Sequence, residues 1–253
     1  MKVLSDDDRE RFAKDGYLVF RGFLSQSELQ GIDAEITQLI DSRLNQVPSE
    51  HVFSETFGEK ATLKQIQHLD RYLETISCLF HRGSLKHLAD EILGETSVGM
   101  NVQYFNKPPA GNQPTPAHQD AYYFKLTPPH ALTMWLALDK VNQNNGCVRY
   151  LPGSQLKGLR EHARTTTLGF SQGIQNYPST HEADSEVPIT ADPGDLLVHH
   201  ALTIHRAESN HSKTLNRRAV GFIYYAESAT EDQIAKNNYE RMLENDLRAS
   251  GRI

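Results

Sequence analysis

Up to about residue 94, apolar positions recur at helical spacing between clear stop signals. Ser5 precedes DDDRERFAKDG, a short amphipathic stretch whose first-turn acids suit the positive end of a helix and which closes at Gly16. Residues 17–23 (YLVFRGF) read as a strand. Ser25 with Glu28 forms a capping box, and behind it Leu29, Ile32, Ile36, Leu39 and Ile40 predict a helix over about 27–43. Residues 45–62 are polar and aperiodic and predict a loop. Two more helices follow, near 71–79 and over 84–93, the second closed by Gly94. From Thr96 the texture changes. SVGMNVQYF, ALTMWLAL, CVRYL, DLLVHH and RAVGFIYY are short runs rich in Val, Tyr, Phe and other apolar residues, separated by Pro, Gly and Asn clusters. Strands joined by long turns, with no helices between them, predict an antiparallel barrel or double-sheet jelly roll. A final mixed-charge segment is helical by pattern. No internal repeat or dividing linker is visible. The expected organisation is a single domain over 1–253, with a helical N-terminal part (about 1–94), a β core (about 95–226) and a C-terminal helix (about 229–249).

Composition narrows the classes. The 253 residues are enough to bury a sizeable core. With 26 basic against 32 acidic side chains the net charge is -6, which argues against a nucleic-acid partner, since phosphate neutralisation needs a basic face. No apolar run reaches the roughly 18–20 residues of a membrane span. The N-terminus turns acidic at Asp6 without a signal-peptide apolar region, so the cytoplasm is the expected compartment. Cys78 and Cys147 are far apart and support neither a disulfide scaffold nor a thiolate zinc site. The chain carries no P-loop, GxGxxG or GxSxG motif. His181 in HEADS lacks the second histidine of a zincin, and Asn210-His211-Ser212 is a glycosylation sequon of no use without secretion.

The unusual figure is 12 histidines, with His199, His200, His205 and His211 close together. In PAHQDAYYF, His118 and Asp120 lie two apart on or beside a strand, so their side chains share a face. An imidazole and a carboxylate on one face supply part of the two-histidine, one-carboxylate triad that suits non-haem Fe(II). A third donor must come from a distant strand, and the histidine cluster offers it. His199 and His200 alternate faces, so at most one points to the site; His200 is the candidate to orient a ligand. Arg217 and Arg218 head the strand AVGFIYY. A guanidinium there would grip the far carboxylate of a dicarboxylate cosubstrate, or simply pair with surface acids. Arg149 is a candidate for a substrate anion. Tyr122, Tyr123 and Phe124 either wall a pocket or pack in the core.

The ordered set of motifs carries a resemblance. It comprises FAKDGYLVFRGFLS, His118-Gln119-Asp120, WLALD (135–139), Asn145-Gly146-Cys147, Pro152-Gly153-Ser154, Pro193-Gly194-Asp195, His205 with Asn210 and Ser212, and Arg217-Arg218. Together these resemble the phytanoyl-CoA dioxygenase family from about Asp6 to Tyr225. The resemblance implies a mainly β fold with flanking helices: a double-stranded β-helix (jelly-roll, cupin-like) core with N-terminal helices and a C-terminal helix. It also implies Fe(II), 2-oxoglutarate as cosubstrate, and O2. His118, Asp120 and His205 would then be the metal ligands, Arg217 would bind the distal carboxylate of 2-oxoglutarate, and Trp135, Gln103 and Lys64 would line the cosubstrate site. Two positions depart from the family pattern. Arg217 lies one residue farther from the distal histidine than is usual, which leaves Arg218 as a substitute. Ala207 stands where a serine is common, which removes a hydrogen bond to the cosubstrate.

The expected function is therefore an Fe(II)- and 2-oxoglutarate-dependent dioxygenase. It would hydroxylate a small polar metabolite with release of succinate and CO2, as a monomer or weak dimer. A carboxylate at Asp120, rather than the small residue of related halogenases, points to hydroxylation. The alternatives are a cupin-like metalloprotein with no use for Arg217 (an isomerase, hydrolase or 2-oxoglutarate-independent dioxygenase), and a non-catalytic metal-binding module.

Overall fold

The computed structural model describes residues 4–57, 60–109, 113–165, 167 and 172–249. Ser5 caps the helix Asp6–Asp15 in a capping box with Asp8, and Gly16 ends it in the left-handed conformation at φ 81°. A second capping box, Ser25 with Glu28, starts the helix Gln26–Gln38, which passes into a π turn, Leu39–Arg43. The helices Glu74–His81 and Ser84–Leu93 follow, and Gln233–Ala249 closes the described chain. None of these helices is long and apolar enough to cross a membrane.

The β elements form two antiparallel sheets facing each other, with two short ribbons, in agreement with the jelly-roll expectation. The large sheet runs Tyr17–Phe20, Leu196–His200, Ala131–Ala137, Arg217–Ala226, Ser97–Lys107, Lys60–Ile66 and Val52–Phe57 in spatial order. The small sheet runs Val187–Ile189, Val148–Tyr150, His205–Ala207 and Thr115–His118. The expected loop over 45–62 is in part a hairpin: Val52–Phe57 pairs with Lys60–Ile66 at the edge of the large sheet. It reads as aperiodic because Val52–Phe57 is an edge strand, where Val52, Phe53 and Glu55 are each half-buried and Ser54 is exposed, so polarity does not alternate with position.

Helices cover one face of the large sheet. Ile32, Ile36, Ile76, Phe80, Leu85 and Leu88 pack there against strand residues such as Val102, Met134, Val198 and Phe222. The opposite face, with Trp135, Ala137, Leu197 and Ala219, meets Val148, Tyr150 and Ile189 of the small sheet. The central strand Ala131–Ala137 is thus buried at every position, which explains its continuous apolar run.

The Asn145-Gly146-Cys147 motif has a structural task. Asn142 and Asn145 cap each other's backbone, Asn145 Nδ2 donates to the carbonyls of Lys140 and Asn216, and Gly146 sits at φ 84°. A Cβ on Gly146 would lie 2.5 Å from the Glu208 carbonyl oxygen. Gly146→Ala is therefore expected to cost about 2 kcal/mol or more of stability, a loss that urea unfolding of the two proteins would measure.

Candidate active site

His118 ends one strand of the small sheet and His205 begins its neighbour, and the two residues are partners in the ladder. Their ring centroids lie 4.2 Å apart. Asp120 is on no strand: it caps the short helix Ala121–Phe124 with αR backbone angles. The turn, and not strand periodicity, brings its carboxylate back to His118. Asp120 Oδ1 lies 3.5 Å from His118 Nε2 and 3.7 Å from His205 Nε2. One donor atom from each of the three residues falls within 4.8 Å of the others, a spacing that fits a single metal ion.

Both imidazoles are set to present Nε2. His118 Nδ1 donates to the Pro116 carbonyl at 2.8 Å, and His205 Nδ1 to the Thr203 carbonyl at 3.0 Å. A ring whose Nδ1–H is held by a carbonyl leaves its other nitrogen with a lone pair for a cation. Burial, reinforced by the neighbouring imidazoles of His118 and His199, holds His205 well below the usual histidine range and so neutral. For Asp120, burial works toward protonation. The surrounding imidazoles of His205, His118 and His199 outweigh it and hold the carboxyl well below the usual range. An Nε2 lone pair beside an ionised carboxylate is the donor state a divalent cation requires.

The other carboxylate oxygen of Asp120 is fully engaged. Thr133 Oγ1 donates to Oδ2 at 2.5 Å and His199 Nε2 lies 3.1 Å from it. The residue supporting the candidate ligands is therefore His199, not His200. In the strand Leu196–His200, Leu197 and His199 share the face that looks between the sheets, while Leu196 and Val198 join the helix-side core. His200 goes with the second set, 6.3 Å from the Phe12 ring, and its Nδ1 accepts from the Leu202 N–H.

Behind the triad lies a cavity of about 730 Å³. Arg217 lines it at 4% exposure, with its Nε buried and without a hydrogen-bond partner. Its guanidinium lies 5.5 Å from the Trp135 ring. Burial draws it down to about 10, so it stays charged at neutral pH, and no described carboxylate forms an ion pair with it. Arg218, the other candidate, points the opposite way and is paired with Asp139 and Asp33. Asn210, the sequon residue, is 1% exposed and donates its amide to the carbonyls of Lys107 and Leu215, shaping the turn that delivers Arg217.

Gln103 and Lys64 line the same cavity. Gln103 Oε1 accepts from Gln65 Nε2 at 2.8 Å, and Lys64 pairs with Glu55. Lys107 is a cavity residue that motif reading misses. Its ammonium donates to the Glu208 carbonyl at 2.8 Å, and burial together with the charges of Arg217 and Lys64 pushes it well below the usual lysine range. Strand parity is the signal that finds it, because 103, 105 and 107 alternate onto one face with Gln103; parity with Trp135 likewise finds Thr133. Arg149 is not available for a substrate, since its Nε donates to Glu186 at 2.9 Å. Tyr123 and Phe124 line the cavity, whereas Tyr122 stacks on His162 at 4.3 Å.

Comparison with known proteins adds the lineage. The sequence profile of the phytanoyl-CoA dioxygenase (PhyH) family matches residues 12–219. The chain belongs to the phytanoyl-CoA dioxygenase family. That match takes in the three candidate ligands and the cavity residues from Lys64 to Arg217, while the closing helix lies beyond it. Among relatives in the family, peroxisomal phytanoyl-CoA dioxygenase of Bos taurus is 26% identical over 237 residues, covering 83% of this chain and 66% of its own length. The chain thus spans just under two thirds of that protein. Phytanoyl-CoA dioxygenase 1 of Oryza sativa subsp. japonica is 25% identical over 247 residues, covering 82% of this chain and 84% of its own. The epimerase SnoN, solved with Fe3+, alpha ketoglutarate and nogalamycin RO, superposes with a TM-score of 0.71 at 23% identity over 88% of this chain and 84% of its own. EctD from S. alaskensis, solved with 2-oxoglutarate and 5-hydroxyectoine, gives 0.72 at 18% identity over 88% and 77%. These superpositions show the shared double-stranded β-helix fold.

Proposed function

We propose that this protein is an Fe(II)- and 2-oxoglutarate-dependent oxygenase that hydroxylates a small molecule, with His118, Asp120 and His205 holding the iron. The observation that carries the reading is Arg217: a charged guanidinium buried without an acidic partner, at the end of a cavity that also holds a complete two-histidine, one-carboxylate donor set. A buried charge is costly until an opposite charge meets it, and a carboxylate matches its fork. When bound, ferrous iron and 2-oxoglutarate supply the oxidising chemistry, with O2 consumed, succinate and CO2 released, and one oxygen atom left for a substrate C–H.

The chain's own part is positioning. The Pro116 and Thr203 carbonyls orient the two imidazoles, while Thr133 and His199 fix the carboxylate. Arg217 would grip the distal carboxylate, with Trp135 packed beside it and Gln103 and Lys64 on the flank. The sheets and the closing helix, through Tyr239 and Leu243, form the walls.

The lining also bears on the substrate. Among the described residues, the lining cations Lys64, Arg206 and Lys236 are already paired with Glu55, Glu186 and Glu231, which leaves Lys107, resting on backbone carbonyls, as a cation beside Arg217 with no acid in contact. Tyr123 stands edge-on to His118 at 5.8 Å and to Tyr239 at 5.9 Å, giving an aromatic wall at the metal end. Both features favour a small anion with an apolar or aromatic body over a purely polar metabolite. A matched set consisting of 3-phenylpropanoate, its amide and the corresponding amine tests this by succinate formation. The carboxylate is expected to stimulate turnover most. Equal or greater stimulation by the amine would overturn the anion preference.

A further inference from the structure

We propose that His199 and Tyr150 form a positioning pair that confines Asp120 to single-oxygen coordination of the metal and so keeps open a coordination position that the cosubstrate needs. The inference rests on the functional reading above; it says what the hold of His199 on the carboxylate achieves and gives a task to Tyr150, which that reading leaves without one.

The two oxygens of Asp120 have different surroundings. Oδ1 faces His118 Nε2 and His205 Nε2 at 3.5 and 3.7 Å. Oδ2 faces Thr133 Oγ1 at 2.5 Å and His199 Nε2 at 3.1 Å. Thr133 and His199 are partners across neighbouring strands of the large sheet, so the sheet's register aims both donors at one oxygen. His199 Nδ1 in turn lies 3.0 Å from the Tyr150 hydroxyl, which comes from the small sheet.

An ionised carboxylate only accepts, so His199 carries a proton on Nε2 and donates to Oδ2. The hydrogen bond between Nδ1 and the Tyr150 hydroxyl holds the ring from its other side and fixes the direction in which Nε2 points. Tyr150 is fully buried and stacked on Tyr17 with ring centroids 4.7 Å apart, and His199 is 3% exposed, so both rings are held by their packing. Turning the carboxylate so that Oδ2 also reached the metal would draw it away from the Thr133 and His199 donors, which opposes the rotation. The consequence concerns the coordination sphere. Three protein donors on an octahedral ion leave room for a chelating keto acid and O2, whereas a carboxylate bound through both oxygens would take one of those positions.

The test is anaerobic calorimetry with Co(II) as a redox-inert probe, followed by 2-oxoglutarate, on wild type and the variants His199→Leu, Tyr150→Phe and His199→Gln. The pair predicts that His199→Leu keeps Co(II) affinity within about threefold but lowers 2-oxoglutarate affinity of the Co(II) form by about tenfold. Tyr150→Phe shows a smaller loss of the same kind. His199→Gln, whose side-chain amide restores a donor to Oδ2, recovers most of the affinity. Loss of Co(II) and 2-oxoglutarate together in His199→Leu, without rescue by glutamine, would mean a merely structural role and overturns the proposal, as do variants indistinguishable from wild type. If the leucine variant does not fold, Tyr150→Phe decides by the same split between the two affinities. A wild type that binds neither probe overturns the functional reading and this inference with it.

Discussion

Arg217→Met is expected to lower 2-oxoglutarate affinity by roughly two to three orders of magnitude while leaving metal affinity nearly unchanged, because truncating one side of a buried charge pair costs about 2–5 kcal/mol. The site explains the size of the effect. Arg217 is the buried cation in the cavity that has neither an acidic partner nor a partner for its Nε, whereas Lys64 pairs with Glu55 and Lys107 rests on backbone carbonyls. Arg217→Lys keeps the charge but loses the fork, and an intermediate loss follows. A second signature separates this role from a structural one. Without ligand, the unpaired buried guanidinium is a burden on the fold, so Arg217→Met should melt at a higher temperature than wild type, by about 2–4 °C for each kcal/mol relieved. Melting curves with and without 2-oxoglutarate check both halves: the variant starts higher, and the cosubstrate no longer raises it. An arginine with only a structural part would give a lower melting temperature and an unchanged response to 2-oxoglutarate.

Asp120→Ala is expected to abolish 2-oxoglutarate-dependent succinate formation, with a loss of at least about 100-fold that added iron does not restore. The carboxylate is the one acid in a ring of imidazoles: His118 and His205 face its Oδ1, and His199 its Oδ2. Its removal takes away a donor and also leaves the Thr133 hydroxyl and His199 Nε2 without an acceptor. Two losses should therefore appear together, metal affinity by titration and thermal stability of the metal-free protein. His118→Ala and His205→Ala should lose metal affinity as steeply, since each removes an Nε2 already oriented by a backbone carbonyl. Turnover in Asp120→Ala close to that of wild type would contradict the assignment.

What the sequence discloses here depends on whether a side chain's chemistry or its surroundings decide its role. The capping boxes at Ser5 and Ser25 and the stop at Gly94 are local, and the helices begin and end where those residues stand. His118 and Asp120 stand out as candidates because imidazole and carboxylate are donors that suit a ferrous ion, whereas His205 is singled out among its neighbouring histidines by the family resemblance. Their convergence comes from the turn after His118 and from ladder pairing with His205, which no spacing in the chain specifies. The choice between Arg217 and Arg218 is invisible for a related reason. The two are adjacent and chemically identical, and it is Asp139 and Asp33, remote in sequence, that claim Arg218. His199 and His200 differ only in which side of a doubly buried strand they face. With apolar neighbours on both sides, hydrophobic alternation carries no label for the interior. The hairpin over Val52–Phe57 and Lys60–Ile66 lies at the sheet's edge, where half-buried positions such as Val52, Phe53 and Glu55 leave no alternation to read.

The most direct test of the central claim is a crystal structure grown without oxygen in the presence of Co(II) and 2-oxoglutarate. The account predicts a single ion bound by His118 Nε2, Asp120 Oδ1 and His205 Nε2, with the distal carboxylate of 2-oxoglutarate paired to the Arg217 guanidinium beside Trp135. An ion bound elsewhere, or a cosubstrate that leaves Arg217 without a carboxylate, would contradict it.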